Sequence, residues 1–277
     1  MGHGNQWEAI YPDFKSVIQH ILPLAVAKGH LAGEAPFVGE YDDGQPHGNV
    51  VAAICYQDGL MGCLVLLDSN TVKNPRTNSL ATAFPYLPGG IAHRLEIDKL
   101  TIVDMPMEGI VHVSKDGFEF DFFDPSFYRN RFKYKVGETH EFSVAALAYS
   151  LHKAETAGYD IDKGPLVELE RQQLLKENPH ADVSAVKSVW ISLENAAICF
   201  PHPQYPGECE FRGPVKTVEW FKFDNLDFCR LLVTLVRPNE QDIDVFVYAA
   251  AHVLGDYRPK SGDDVEGVVW LQGNLVE

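Results

Sequence analysis

The alternation of apolar and polar positions is clearest in the last third of the chain, residues 211–276. Three runs rich in β-branched and aromatic residues follow one another over 211–223, 228–236 and 243–248. Such runs fit a pleated sheet surface and predict three strands. An alanine-rich segment before Gly255 predicts a short helix, and residues 265–276 predict a last strand.

The order of three strands, a short helix and a strand has the pattern of a small, partly open barrel of the oligonucleotide/oligosaccharide-binding (OB) type with one strand missing. This is an analogy of pattern, and fold analogy alone implies no function. Earlier in the chain, Asp58-Gly59 and Asp116-Gly117 each lie between two β-compatible runs and predict hairpins. Phe118, Phe120 and Phe122 alternate, so they are expected on one face of a strand.

Helices and loops are predicted around these strands. Apolar residues at helical spacing predict a helix over 13–28, which Pro23 should end or kink, and an amphipathic helix over 166–178. Gly-, Pro- and Asp-rich segments predict loops over 33–48 and 68–76 and a turn over 87–90. A short strand is predicted over 100–103.

We therefore predict a β-rich α+β fold with antiparallel sheets and a few flanking helices. Two small β units are expected: an N-terminal α+β unit over residues 1–155 and a C-terminal unit, open-barrel or OB-like, over 166–277. The boundary is weakly marked in the sequence, and a single domain is the alternative.

A weak internal repeat relates the two units at an offset of 125 residues, from 135 to 260. Lys135-Val-Gly-Glu138 aligns with Lys260-Ser-Gly-Asp263, and the alternating strand 118–122 aligns with 243–247. The repeat would give each unit the same turn into its closing strand. Chance similarity between β-rich segments is the alternative.

Composition limits the classes of partner. The chain has 277 residues, 45% of them hydrophobic and 22% charged, with a formal net charge of -16. Such a charge repels nucleic acid and anionic membranes, so nucleic acid is disfavoured as a partner, a membrane is not expected, and a protein partner is preferred.

The five cysteines and the N-terminal residues bear on the compartment. The number of cysteines is odd, no CxxC occurs, and no basic segment followed by an apolar run opens the chain. These features favour reduced thiols and a cytoplasmic location.

Sequence motifs for catalysis are missing from the chain. We find no glycine-rich phosphate loop, no HExxH, no GxSxG and no EF-hand loop. The eleven histidines show no ligand spacing, although His112 and His140 lie on predicted strands of one unit. The acidic group Asp263, Asp264 and Glu266 is more typical of a solvated turn than of a cation site. Catalytic residues therefore stay unknown, and neither a metal nor a cofactor is predicted.

The most suggestive pattern is a basic face with an aromatic residue in it. Strict alternation along 211–223 places four of its members on one side of a strand, and the fifth is expected on the polar face of the next strand. The predicted ligand- or partner-binding residues are Arg212, Lys216, Trp220, Lys222 and Arg230.

Three functional hypotheses follow from these patterns. The first is a non-catalytic cytoplasmic interaction protein that docks a partner on this basic-aromatic face. The second is single-stranded nucleic-acid or nucleotide binding by the OB-like unit, with bases stacked on Trp220. The third is an enzyme whose site is assembled from distant His, Asp or Glu residues; the missing motifs count against it.

Overall fold

The computed structural model describes residues 3–36, 49–70, 77–103 and 107–276. It confirms a strand-rich α+β fold in which antiparallel pairing dominates. The helices are α1 (Gly4–Glu8), α2 (Phe14–Ser16), α3 (Leu22–Lys28), α4 (Phe127–Asn130), α5 (Pro165–Glu177) and α6 (Ala251–Leu254). The strands are β1 (His30–Pro36), β2 (Asn49–Asp58), β3 (Met61–Asn70), β4 (Thr77–Tyr86), β5 (Ile91–Ile102), β6 (Gly109–Lys115), β7 (Phe118–Phe123), β8 (Thr139–Lys153), β9 (Gly158–Ile161), β10 (Val189–Ser192), β11 (Ile198–Pro201), β12 (Glu208–Phe223), β13 (Leu226–Val236), β14 (Ile243–Ala250) and β15 (Asp264–Leu275).

The first part of the chain forms an antiparallel sheet in the order β1-β2-β3-β4. The hairpin predicted at Asp58-Gly59 is present, and Gly59 has the positive φ of 63° that its tight turn requires. The expectation of a loop from residue 33 is wrong for residues 33–36, which belong to β1. Residues 37–48, the rest of that predicted loop, lie outside the described residues. The loop predicted over 68–76 is wrong for residues 68–70, which belong to β3, and residues 71–76 lie outside the described residues.

The helix predicted over 13–28 continues through Pro23 by changing its winding. Residues Val17–Ile21 form a π-helical turn between α2 and α3, and Pro23 occupies the first turn of α3. A proline lacks the N–H that would bond four residues back, and its ring crowds that carbonyl group. The wider π turn directly before Pro23 accommodates this loss without ending the helix.

The second sheet has nine strands in the order β11-β12-β13-β14-β8-β15-β7-β6-β5, with two further pairings, β12–β15 and β8–β5. These pairings close two cycles of five strands. One cycle consists of β5, β6, β7, β15 and β8, and the other consists of β12, β13, β14, β8 and β15. The central antiparallel pair β8–β15 belongs to both cycles, so each cycle is completed by a strand from the other half of the chain.

The two cycles follow the repeat noted in the sequence. The turns at 135–138 and 260–263 are alike: Gly137 and Gly262 have φ of 83° and 87°, and each turn is closed by a 3.1 Å bond between backbone atoms. Helices α4 and α6 precede these turns at equivalent places. The parallel pairs Phe123↔Gln272 and Tyr248↔Leu147 are also equivalent at the offset of 125 residues, which indicates approximate twofold symmetry.

Two buried hydrophobic clusters hold these layers together. One cluster fills the two cycles and includes Phe120 and Phe122, with Phe118 packed against it, as the alternation predicted. The other joins the N-terminal sheet and helices to the outer face of the nine-stranded sheet. Within it, Trp7 is fully buried and donates a 2.9 Å hydrogen bond to the carbonyl oxygen of Ala83.

The segment between β8 and β11 projects from the cycles. It carries α5 and a separate two-stranded sheet of β9 and β10. Strand pairing between β8 and β15 crosses the predicted boundary near residues 155–166, and the division into two domains stays a prediction.

Candidate functional site

The β12–β13 hairpin fixes where four of the predicted site residues lie. Its two turn residues, Asp224 and Asn225, both have positive φ, and Phe223 pairs with Leu226. This register places Trp220 opposite Cys229 and Glu219 opposite Arg230. Because directly opposed residues share a face, Trp220 and Arg230 lie on opposite faces of the hairpin. The single basic-aromatic face expected from alternation is therefore not formed.

A bulge in β12 further separates the residues. The register shifts between Val215 and Thr217, at Lys216, so alternation does not continue unchanged from Arg212 to Trp220. Arg212 and Lys222 also lie about 30 Å apart along the strand, at about 3.3 Å per residue. Trp220 contacts Arg258, whose guanidinium carbon lies 5.6 Å from the ring centroid.

Acidic side chains neutralise the cations of this hairpin. The Lys216 amine lies 2.7 and 2.8 Å from carboxylate oxygens of Asp242 and Asp244. The Lys222 amine lies 2.8 Å from Asp227, and Arg230 forms an ion pair with Glu219. None of these three cations offers an uncompensated charge to a phosphate group.

Arg212 is different because it lies on the floor of a cleft with a volume of about 500 Å³. The floor is the outer face of β8, β15, β12 and β11, and the β9–β10 sheet forms one wall. Strand pairing arranges the floor in two rows across the four strands. The rows are His152, Glu266, Arg212, Ile198 and Ser150, Val268, Glu210, Phe200.

The Arg212 side chain is nine-tenths buried, with a relative exposure of 10%. Its guanidinium makes one long ion pair, 3.7 Å from Nη1 to an oxygen of Glu266. Its Nε atom is buried and has no hydrogen-bond partner among the described residues. Most buried polar groups are hydrogen-bonded, so the Nε of Arg212 is an exception, which it shares with the Nε atoms of Arg171 and Arg230. Of these three arginines, Arg212 is the one that lines the cleft.

Aromatic and carboxylate groups surround the guanidinium. Phe200 and Tyr159 line the cleft with 65% and 55% of their surface exposed. The imidazole Nε2 of His152 lies 3.3 Å from Glu266, whose carboxylate is therefore shared between His152 and Arg212. Glu210 is exposed on the floor. The cleft therefore combines exposed aromatic rings with hydrogen-bond donors and acceptors on its floor.

Other candidates from the sequence have structural explanations. His112 contacts Thr101 and Asp121, whereas His140 lies beside Glu138 and Tyr134, and β5 lies between their strands. The Asp263 carboxylate accepts hydrogen bonds from the Lys260 backbone N–H and the Tyr257 hydroxyl, as expected of a turn residue.

The five cysteines are all free and buried. Burial raises the pKa of the Cys55 and Cys63 thiols and raises the pKa of Cys229 to about 12. A high pKa leaves little of the nucleophilic thiolate, so these thiols have the properties of buried apolar residues.

Neither a protein-family model, nor a curated protein sequence, nor a solved structure matches this chain. Within the described ranges, no group of three or more His, Cys, Asp or Glu side chains is placed to hold a metal ion. No helix in the same ranges has both the length and the apolar character needed to cross a bilayer. The class established by the structure is a strand-rich α+β protein with a cleft on its larger sheet.

Proposed function

We propose that this protein is a non-catalytic binding protein whose ligand occupies the cleft above Arg212. The observation that carries the proposal is the nine-tenths buried Arg212 side chain, whose Nε atom has no hydrogen-bond partner among the described residues. A ligand that supplies an acceptor would complete its hydrogen bonding.

The energetic cost of this guanidinium supports a binding role. Leaving a buried donor without a partner costs about 1–3 kcal/mol, and more when the group is charged. The long contact with Glu266 returns little of that cost, because the Glu266 carboxylate is one-third exposed and also contacts His152. Residues that lower stability without an apparent structural gain are typical of binding sites.

The proposal retains one of the five predicted residues, Arg212, and adds the exposed aromatic residues Phe200 and Tyr159. Binding of a partner by Lys216, Trp220, Lys222 and Arg230 stays a prediction. The ion pairs of the two lysines and Arg230 with acidic residues count against it. A cytoplasmic location is part of the proposal, and the five unpaired thiols support it.

OB-like binding of single-stranded nucleic acid is the second candidate. The two five-stranded cycles, one with the short helix α4 before β8 and the other with the short helix α6 before β15, support an OB-like barrel. The paired cations and the net charge of -16 count against binding of a polyanion. Anisotropy of a labelled oligonucleotide at low salt decides between the two, since phosphate-driven binding must strengthen there.

The uncharged dye Nile red tests the cleft, because it joins flat aromatic rings to a carbonyl acceptor and carries no charge that the carboxylates of Glu210 and Glu266 would repel. We expect the wild type to bind one molecule with enhanced dye fluorescence, and Phe200→Ser to weaken that binding about tenfold or more.

Phe132→Ser is the matched control, since Phe132 is 59% exposed and does not line the cleft. It should leave dye binding unchanged. Equal loss in both variants, or no loss in Phe200→Ser, would show that the dye and the cleft are unrelated.

A further inference from the structure

Resting on the proposed function of the cleft, we infer that its ligand is a neutral purine with the hydrogen-bonding edges of guanine. Three properties of the cleft lead to this ligand: the Arg212 guanidinium, the carboxylates beside it and the exposed aromatic rings.

The guanidinium requires acceptors from the ligand. Arg212 presents a planar set of N–H donors, and Nε has no partner among the described residues. A planar guanidinium matches two adjacent acceptors, as in a carboxylate, a phosphate or the O6/N7 edge of guanine.

The carboxylates make the anionic alternatives unfavourable. Glu210 and Glu266 lie on the same floor as Arg212. Arg212 also lines a neighbouring cavity of about 390 Å³ whose other charged residues are Glu155, Glu194, Asp264 and the ion pair of Lys153 with Asp263. A carboxylate or phosphate would meet several like charges at short range, on a chain whose net charge is -16. A neutral acceptor avoids this repulsion.

The same carboxylates favour a ligand that carries donors next to its acceptors. Guanine presents the acceptors O6 and N7 on one edge and the donors N1–H and N2–H on the adjoining edge. With O6 and N7 at Arg212, its donors can reach the carboxylate of Glu210 or Glu266. Adenine places an amino donor where guanine has O6, and that donor would face the guanidinium.

The two exposed aromatic residues of the cleft are suited to a flat ligand. The rings of Phe200 and Tyr159 are more than half exposed, and exposed aromatic rings beside a cleft stack well on bases. Aromatic stacking holds any base, so the selectivity between bases is assigned to Arg212 and the two carboxylates.

Equilibrium dialysis with guanosine, adenosine and guanosine monophosphate tests the inference. We expect guanosine to bind about tenfold or more tightly than adenosine, since a bidentate contact discriminates by about that factor. The monophosphate should bind more weakly than the nucleoside, and guanosine binding should change little between low and high salt.

Two variants locate the binding. Arg212→Met should weaken guanosine binding about tenfold or more, whereas Lys222→Met, which removes a paired cation of the same strand, should leave it unchanged. Equal binding of adenosine, tighter binding of the monophosphate, or an unaffected Arg212→Met variant would overturn the inference. If Nile red binds at Phe200 but guanosine does not bind, the ligand class is wrong and the proposed function stands. If neither binds, both fail.

Discussion

Two buried ionisable residues, Asp124 and Arg212, differ in how their surroundings satisfy them. The Asp124 carboxylate accepts hydrogen bonds from the Tyr134 hydroxyl at 2.6 Å, the Ser126 backbone N–H at 2.8 Å and the Asn130 amide at 3.1 Å. The Nε atom of Arg212 has no hydrogen-bond partner among the described residues. Asp124 therefore organises the segment around α4, whereas Arg212 is available to a ligand.

Asp124 predicts a specific pH dependence of stability. Burial raises its pKa from an ordinary 3.8 to about 6, against the opposing effect of its hydrogen bonds. The folded state then holds more protons than the unfolded state between these values. This contribution to the unfolding free energy is present below pH 3.8 and is lost as the pH rises through 6, by up to roughly 3 kcal/mol.

Urea unfolding across this pH range, with the wild type and Asp124→Asn, measures the effect. As the pH rises from about 4 to above 6, the unfolding free energy of the wild type should fall relative to that of Asp124→Asn. Parallel curves would mean that Asp124 does not titrate in this range.

At the scale of elements, local turn signals are sufficient to predict several features. The hairpins at Asp58-Gly59 and Asp116-Gly117 are predictable because Asp-Gly favours tight turns, and Gly59, Asp116 and Gly117 adopt the positive φ that such turns require. The same reasoning applied to Asp224-Asn225 would give the β12–β13 register and separate Trp220 from Arg230. The signal is present in the sequence, and strict alternation ignores it.

Other elements cannot be predicted from the local sequence pattern. Strand β5 extends over Ile91–Ile102, and the short strand predicted over 100–103 covers only its last three residues. The cleft depends on which strands lie side by side: β12 pairs with β15, and β15 with β8, across long sequence separations. These pairings bring His152, Glu266 and Arg212 together, and no spacing in the sequence encodes them.

The shared pair β8–β15 predicts a sensitive glycine. A Cβ atom at Gly267 would overlap with the carbonyl oxygen of Ser150 on the neighbouring strand. Gly267→Ala should therefore lower the unfolding free energy by about 1–3 kcal/mol, because the strands must separate locally.

Gly4→Ala is the matched control for this substitution. A Cβ atom at Gly4 would meet no other described atom within 4 Å, and Gly4 lies in a helix, so alanine there should be neutral or slightly stabilising. Chemical denaturation of both variants makes the comparison, and equal effects would contradict the close approach of β8 and β15.

For the whole molecule, the exchange of strands determines how the chain folds. The first cycle needs β15, from the end of the chain, and the second needs β8, from its middle. Each cycle therefore depends on the other half of the chain, and we expect the two cycles to unfold in one cooperative transition.

Truncation tests this dependence. A chain that ends at residue 205 lacks β15, and we expect it to lose the near-ultraviolet circular dichroism of packed aromatic residues. As a control, residues 163–187 can be replaced by an Asn-Gly turn, because Ile161 pairs with Val189 across the β9–β10 sheet. That shortened chain should fold. A folded chain of residues 1–205 would show that the first cycle does not require β15.

The unfolding free energy of Arg212→Met, measured without ligand, tests whether Arg212 serves binding and not stability. If Arg212 is kept for binding, removing its unsatisfied charge should leave stability unchanged or raise it, since Glu266 retains His152 and partial exposure to water. If Arg212 instead holds the sheet together, the variant should lose about 2 kcal/mol or more. A binding role for Arg212 requires the first result, and a loss of stability would rule that role out.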